Sequence, residues 1–218
     1  MTVERSGLFV WVTWLTKLMA GDISCEWAPW FRTHYQNYDK MPSDFTEWNI
    51  RHTRLLTELR REKEQSSERI LVEDQANFKW ERPSTGLTLS GKPDLVAING
   101  NEIEICDCKT GQPRASDGVQ VRLYMYCLPR ARREFQNKTI KGLLVYPDHR
   151  VEIEPGAVGK EFEDNLNFFL DILDTPIESP PKRTPSAREC NFCDITPGDC
   201  PERIDESVEL EAGEEPPI

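Results

Sequence analysis

The 218-residue chain has no run of uncharged apolar side chains approaching the roughly 18 needed for a helix to cross a bilayer, so no transmembrane span is expected. It also lacks the pattern of a secretory leader. The apolar stretch Gly7 to Trp14 is short, runs straight into Thr16-Lys17, and has no small-residue cleavage site. An even set of cysteines is missing too: there are seven, and without a secretion signal they argue against a disulfide framework. The expectation is a reducing cytoplasm, with thiols serving as metal ligands or core groups. Basic charge is scarce, with 27 Lys and Arg against 38 Asp and Glu and a net charge of −11. That excludes a simple basic coat for nucleic acid, so any contact with DNA must come from local patches and bound cations. There is no internal repeat.

What is present is enough for a packed domain. Apolar residues make up 38% of the chain, and six are Trp, each able to bury a large area. Residues 10 to 20 place Trp11, Trp14, Leu15, Leu18 and Met19 at helical spacing, closed by Gly21. A long helix is expected from Asp44, with Asp44 as cap and Glu47 at the capping-box position. Its apolar stripe is Trp48, Leu55, Leu56 and Leu59, with His52 among them. Strands are expected at 70–72, 77–80, 87–89, 95–98 and 102–109, and Asn99-Gly100 is a two-residue hairpin signal. A helix over 117–128 should stop at Pro129. Two more strands follow at 142–146 and 151–153, then a helix bearing Phe162, Leu166, Phe169, Leu170 and Leu173. The four prolines between Pro176 and Pro185 read as a linker.

The hairpin carries the chemistry. Side chains alternate along a strand, so Ile103, Ile105, Asp107 and Lys109 share one face, while Glu102, Glu104, Cys106 and Cys108 share the other. A carboxylate and an ammonium following two apolar residues on one face need partners or a metal if buried. Asp94, across the hairpin, can bring a second carboxylate to the same end. Two acids beside a lysine suit Mg²⁺ or Mn²⁺, which takes oxygen ligands and lowers the pKa of a bound water. Lys109 can orient that water or stabilise charge on a phosphate. A surface hairpin with a solvated Asp–Lys pair is the plain alternative.

The ordered set Pro93-Asp94, Asp107-Cys108-Lys109, Gln120 and Tyr124 on the next helix, and His52 on an earlier one resembles the PD-(D/E)XK nuclease superfamily and its RecB-like members. The resemblance covers roughly residues 44 to 146. It implies a restriction-endonuclease-like α/β (α+β) fold, a mixed and mostly antiparallel sheet flanked by helices. It implies that Asp94, Asp107, His52 and the backbone carbonyl of Cys108 ligate Mg²⁺ or Mn²⁺. Lys109 would act on the attacking water, and Gln120 and Tyr124 would position phosphate or the lysine. Glu73 and Glu104 are further acids of no assigned role. The Cys106 and Cys108 thiols face away from the acids and read as core groups.

Near the C-terminus, Cys190, Cys193 and Cys200 lie within eleven residues after the proline-rich linker, a density that suggests thiolate ligation. A fourth ligand is needed, and Cys25 is the natural candidate. One early and three late cysteines resemble the iron–sulfur subgroup of RecB-like nucleases, which includes the CRISPR-associated nuclease family. That resemblance implies a 4Fe–4S cluster stapling the two ends of the domain as a lid. Zn²⁺ is the competing occupant, since four thiolates suit both. The gap of six residues before Cys200 departs from the five usual in the CRISPR-associated family.

The expected organisation is an N-terminal helical segment (1–43), a nuclease core (44–175), a linker (176–189), a cysteine segment (190–203) and an acidic tail (204–218) expected to be disordered and solubilising. The tail carries Asp205, Glu206, Glu209, Glu211, Glu214 and Glu215 and no base. DNA contacts are expected on the basic face of the long helix (Arg51, Arg54, Arg60, Arg61, Lys63) or at Arg130, Arg132 and Arg133. Trp and Tyr residues at 27–38 can stack on bases or fill the core. The expected activity is hydrolysis of DNA, exonucleolytic on single strands or overhangs, with a CRISPR integrase complex or other DNA-processing proteins as partners. Two rivals are a non-catalytic DNA-binding or scaffolding subunit with the same fold, and a redox iron–sulfur protein.

Overall fold

The computed structural model describes residues 1–204; the acidic segment expected at the C-terminus falls almost wholly outside them. In chain order the elements are β1 (Val3–Glu4), β2 (Phe9–Trp11), α1 (Val12–Ala20), α2 (Trp27–His34), β3 (Tyr35–Gln36), α3 (Thr46–Ser66), β4 (Arg69–Val72), β5 (Phe78–Glu81), β6 (Thr88–Gly91), β7 (Leu95–Asn99), β8 (Glu102–Cys108), α4 (Ala115–Ala131), β9 (Thr139–Val145), β10 (Arg150–Ile153), α5 (Lys160–Leu173) and α6 (Ala187–Asn191).

The alternation in β8 shapes the centre of the molecule. Ile103 and Ile105 point into the larger core beside α4, and Cys106 and Cys108 point into a smaller one with Leu56 and Leu59 of α3. Each apolar side chain fully buried this way contributes on the order of 1.5–3 kcal/mol. β8 is therefore the middle strand of a five-stranded sheet in the order β10-β9-β8-β7-β4, with α3 and α4 on opposite faces. The β8–β9 pair is parallel and the other three pairs are antiparallel, so the sheet is mixed and mostly antiparallel as expected. Gly100 takes a left-handed φ of 56° in the turn from β7 to β8, which is why Asn99-Gly100 closes this hairpin.

A second sheet, β2-β6-β5, stands beside the first. Its β2–β6 pairing is parallel and sets Trp11 opposite Ser90, at the approach to the Gly91–Asp94 segment. Tyr124 of α4 crosses Gly91 so closely that a Cβ there would lie 2.8 Å from its ring and 2.6 Å from Phe78. Gly91 thus admits α4 to the end of the sheet where Asp94 lies. α1 ends as the sequence suggests, with Gly21 at φ 74° accepting the left-handed cap.

Two expectations need correction. α3 begins at Thr46 rather than at Asp44; Asp44 still accepts from the Thr46 N–H at 2.9 Å, but no capping box forms with Glu47. Pro129 does not stop α4, which runs on to Ala131. The proline falls in the last turn, where it removes a single donor, and the Arg130 guanidinium donates to the Tyr126 carbonyl at 2.8 Å in that same turn. Among the described residues no helix is long and apolar enough to cross a membrane.

Candidate active site and cysteine cavity

β8 delivers Asp107 to the interior, 2% exposed, with Lys109 just past the strand end. Burial pushes the Asp107 carboxyl up to about 6, Lys109 opposes this, and Asp94 reinforces it. Lys109 Nζ lies 2.8 Å from Asp107 Oδ2 and donates to Gln120 Oε1 at 2.9 Å. Burial disfavours the Lys109 charge, but Asp107 outweighs it and holds the ammonium above its ordinary pKa. Gln120 returns the contact by donating through Nε2 to Asp107 Oδ1 at 3.1 Å and to the Tyr124 hydroxyl at 2.8 Å. Tyr124 in turn donates to the Lys92 carbonyl at 3.3 Å. Three side chains spaced along α4 make this network possible: Asp117, Gln120 and Tyr124 recur at i, i+3 and i+7 on one face.

Asp94 comes from the segment leading into β7. Its Oδ2 accepts from the Cys108 N–H at 2.7 Å and faces His52 Nε2 at 3.0 Å. His52 is supplied by α3 from the opposite face of the sheet, stacked on Trp48 with ring centroids 4.7 Å apart. Burial works against its protonation, but the hydrogen bond and charge of Asp94 prevail and raise its pKa. His52, Asp94, Asp107, Cys108, Lys109, Gln120 and Tyr124 all line one pocket of about 290 Å³.

Among the described residues, no three His, Cys, Asp or Glu side chains converge closely enough to hold a metal ion as they stand. The reason is visible in the bonding. Asp94 and His52 are spent on each other, and Asp107 is spent on Lys109 and Gln120. Yet the donor set suits a hard divalent cation. Asp107 Oδ2 is shielded from water and, beyond its ion contact with Lys109, makes no hydrogen bond of sound geometry. An orphaned carboxylate oxygen facing a pocket with a second acid and an imidazole is a fit for Mg²⁺ or Mn²⁺.

The sequence reading missed Asp117, whose Oδ1 lies 3.9 Å from Lys109 and whose Oδ2 accepts from Tyr146 at 2.8 Å. Its spacing from Gln120 was the available signal. Glu104, by contrast, lies on the other face, paired with Lys63 and Lys141. Glu73 does not border the pocket; its N–H donates to the Asp94 carbonyl at 3.0 Å.

The four cysteines Cys25, Cys190, Cys193 and Cys200 line a second, larger cavity of about 790 Å³. Burial raises the Cys200 thiol, with Cys193, Cys25 and Cys190 adding to the shift and Arg183 opposing it. The chain ends are stitched together here. Glu189 accepts from the N–H groups of Ser24 and Cys25, and Asp194 accepts from Arg32 and Tyr38. Cys106, Cys108 and Cys127 are buried elsewhere.

The expected DNA-binding patches are largely engaged. Arg54, Arg60 and Lys63 pair with Glu58, Glu64 and Glu104, and Arg130 and Arg132 bond to backbone carbonyls. Trp27, Trp30 and Phe31 are buried and pack the core rather than offering stacking surfaces.

A mixed sheet with helices on both faces, bearing two acids and a lysine at the end of one hairpin, is the arrangement a metal-dependent nuclease of this fold would use. The sequence profile of the PD-(D/E)XK nuclease superfamily matches residues 26–197, and the chain belongs to that superfamily. Membership carries with it phosphodiester hydrolysis on DNA. A solved structure titled "Crystal structure of SSO0001" is similar at 15% identity and a TM-score of 0.47, over 93% of this chain and 89% of that one. No curated protein matches the chain.

Proposed function

We propose that the protein is a DNA exonuclease acting on single strands or overhangs, with Mg²⁺ or Mn²⁺ held by Asp94, Asp107, His52 and the Cys108 carbonyl. The observation that carries this reading is the bonded chain Asp107–Lys109–Gln120–Tyr124 in the same pocket as the Asp94–His52 pair. When bound, the ion lowers the pKa of a water and offsets charge on the phosphate. Lys109 is a cation in its present surroundings. It orients the attacking water and offsets charge on the phosphate. Gln120 fixes the lysine, and Tyr124 fixes Gln120. The preference for ends, and a setting in CRISPR adaptation or in recombination and repair, rest on the RecB-like resemblance.

In the cysteine cavity a 4Fe–4S cluster is preferred over Zn²⁺. Four thiols share one cavity, and the preference for a cluster rests on the resemblance to the iron–sulfur subgroup. The cluster's role is structural, because Cys25 is joined to cysteines at the far end of the chain.

The test is cleavage of end-labelled single- and double-stranded DNA with Mn²⁺. Wild type should degrade single strands from an end and Lys109→Ala should not. If both leave every substrate equally intact, the rival of a non-catalytic DNA-binding subunit takes the place of the enzyme.

A further inference from the structure

The N-terminal turns of α1 separate the catalytic pocket from the cysteine cavity, and Thr13, Lys17 and Arg114 line both. Trp11, at the start of that helix, stands on the rim of the catalytic pocket and is 40% exposed, although its indole could be buried at a gain. Its orientation is set by Phe9, whose ring meets it edge-on at 5.4 Å, and by the pairing of β2 with β6. Trp48 borders the same pocket from α3. Lys17 is half-buried on the wall between the cavities, where burial lowers its pKa and the charge of Asp22 only partly offsets this. Lys17 lies four residues from Thr13 on one helix face, lines the same pocket as the exposed Trp11 indole, and has Arg114 and Arg32 adding positive charge around it with Asp22 opposing, so an anion entering that pocket relieves the crowding of cations.

We infer that Trp11, Thr13, Lys17 and Arg114 form a subsite for a single-stranded DNA segment next to the scissile phosphate, Trp11 stacking on an unpaired base and Lys17 holding the adjoining phosphate. This rests on the nuclease reading and deepens it. A base face is available to an indole only when the strand is unpaired, so the subsite selects single strands over duplex. Stacking on an aromatic ring is indifferent to base identity, so the selection carries little sequence preference. The cation and the ring together match the two repeating features of such a strand, a phosphate and a base face. The strip leads from the catalytic pocket toward the cysteine cavity, and the strand follows it.

The experiment measures binding of fluorescein-labelled oligothymidylate to the full chain by anisotropy, without divalent metal, for wild type, Trp11→Leu, Trp11→Phe and Lys17→Gln. Trp11→Leu should bind about tenfold more weakly, and Trp11→Phe should recover most of that loss. Lys17→Gln should flatten the slope of log affinity against log salt by about 0.7, the share of one phosphate on a single strand. Duplex of the same length should be affected little by the Trp11 changes. In Mn²⁺-dependent cleavage of single strands, Trp11→Leu should raise KM and leave kcat nearly intact. Leucine keeps an apolar side chain at the position, so a folding defect is separable from loss of the ring by the melting temperature. If Trp11→Leu binds oligothymidylate as wild type does while Lys109→Ala abolishes cleavage, the subsite is wrong and the nuclease reading stands. Equal losses on duplex and single strand would also overturn it. If wild type neither binds nor cleaves DNA, the nuclease reading itself falls.

Discussion

His52 and Asp94 face each other at 3.0 Å, Nε2 to Oδ2, across the joint between α3 and the β7–β8 hairpin. The contact joins the two faces of the sheet at the point where a cation would sit. A divalent ion must displace it, because both atoms are also the donors expected of metal ligands. The imidazole lies in a helix stacked on Trp48, so replacing it should leave the fold in place. His52→Ala should weaken Mn²⁺ binding by about ten- to a hundredfold, the range found when a group supporting a metal site is lost. Titration calorimetry on the metal-free protein checks this. An unchanged affinity would remove His52 from the ligand set.

Proton linkage gives a second prediction. In the metal-free protein Asp107 has a pKa raised to about 6 by burial, and His52 has one raised by Asp94 despite its burial. Groups whose folded pKa is raised contribute stability below their unfolded pKa, and that contribution disappears as pH rises through the folded value. For Asp107 the window runs from its ordinary 3.8 up to about 6. A metal needs both groups deprotonated, so binding releases protons at acid pH. Mn²⁺ affinity should fall as pH drops below about 6, by about tenfold per unit for each proton displaced. The binding enthalpy should vary with the ionisation heat of the buffer. Affinity independent of pH between 5 and 7 would contradict the linkage.

Gln120 holds Lys109 and Asp107 at once, through opposite ends of one amide. Neither contact survives truncation, whereas Tyr124→Phe removes the support behind the amide and the bond to the Lys92 carbonyl but leaves Gln120 in place. Gln120→Ala should therefore lower kcat by about a hundredfold, as expected when a reacting group shifts by an ångström. Tyr124→Phe should cost less. Single-turnover cleavage at saturating Mn²⁺ separates the two, and a larger loss in Tyr124→Phe would reverse the order of support.

Local pattern carried much of this arrangement. The alternation Ile103, Ile105, Asp107 against Cys106, Cys108 assigned the two faces of β8, and Asn99-Gly100 placed the turn, because both signals lie within a few adjacent residues. Spacing along one helix likewise put Gln120 and Tyr124 together. Trp11 was read at helical spacing within residues 10 to 20, and it caps α1 on an exposed rim. Its place depends on β2 pairing with β6 nearly eighty residues away, and no local periodicity encodes a parallel partner at that distance. Lys17 was invisible for a related reason. A surface lysine and one on the wall between two cavities look alike until the cavities exist. On α3, Arg54 and Arg60 meet Glu58 and Glu64 four residues on, pairs that helical spacing alone lets the sequence suggest.

The cysteine cavity makes a prediction independent of cleavage. Cys25 follows α1, while Cys190, Cys193 and Cys200 follow the proline-rich linker, so an occupant bonded to all four closes nearly the whole chain into a loop. Protein purified without oxygen should be brown, with about four iron and four sulfide per chain for a 4Fe–4S cluster. Burial raises the Cys193 thiol, Arg32 opposing it. Its unliganded form is thus a neutral thiol, and metal must expel that proton to bind. Cys193→Ala should lose the colour and melt at a lower temperature, and its solubility should fall before the chemistry at Asp107 does. Metal analysis decides between occupants. Stoichiometric zinc in colourless protein would replace the iron assignment, and a soluble Cys193→Ala variant with full metal content would take Cys193 out of the ligand set while leaving the nuclease site untouched.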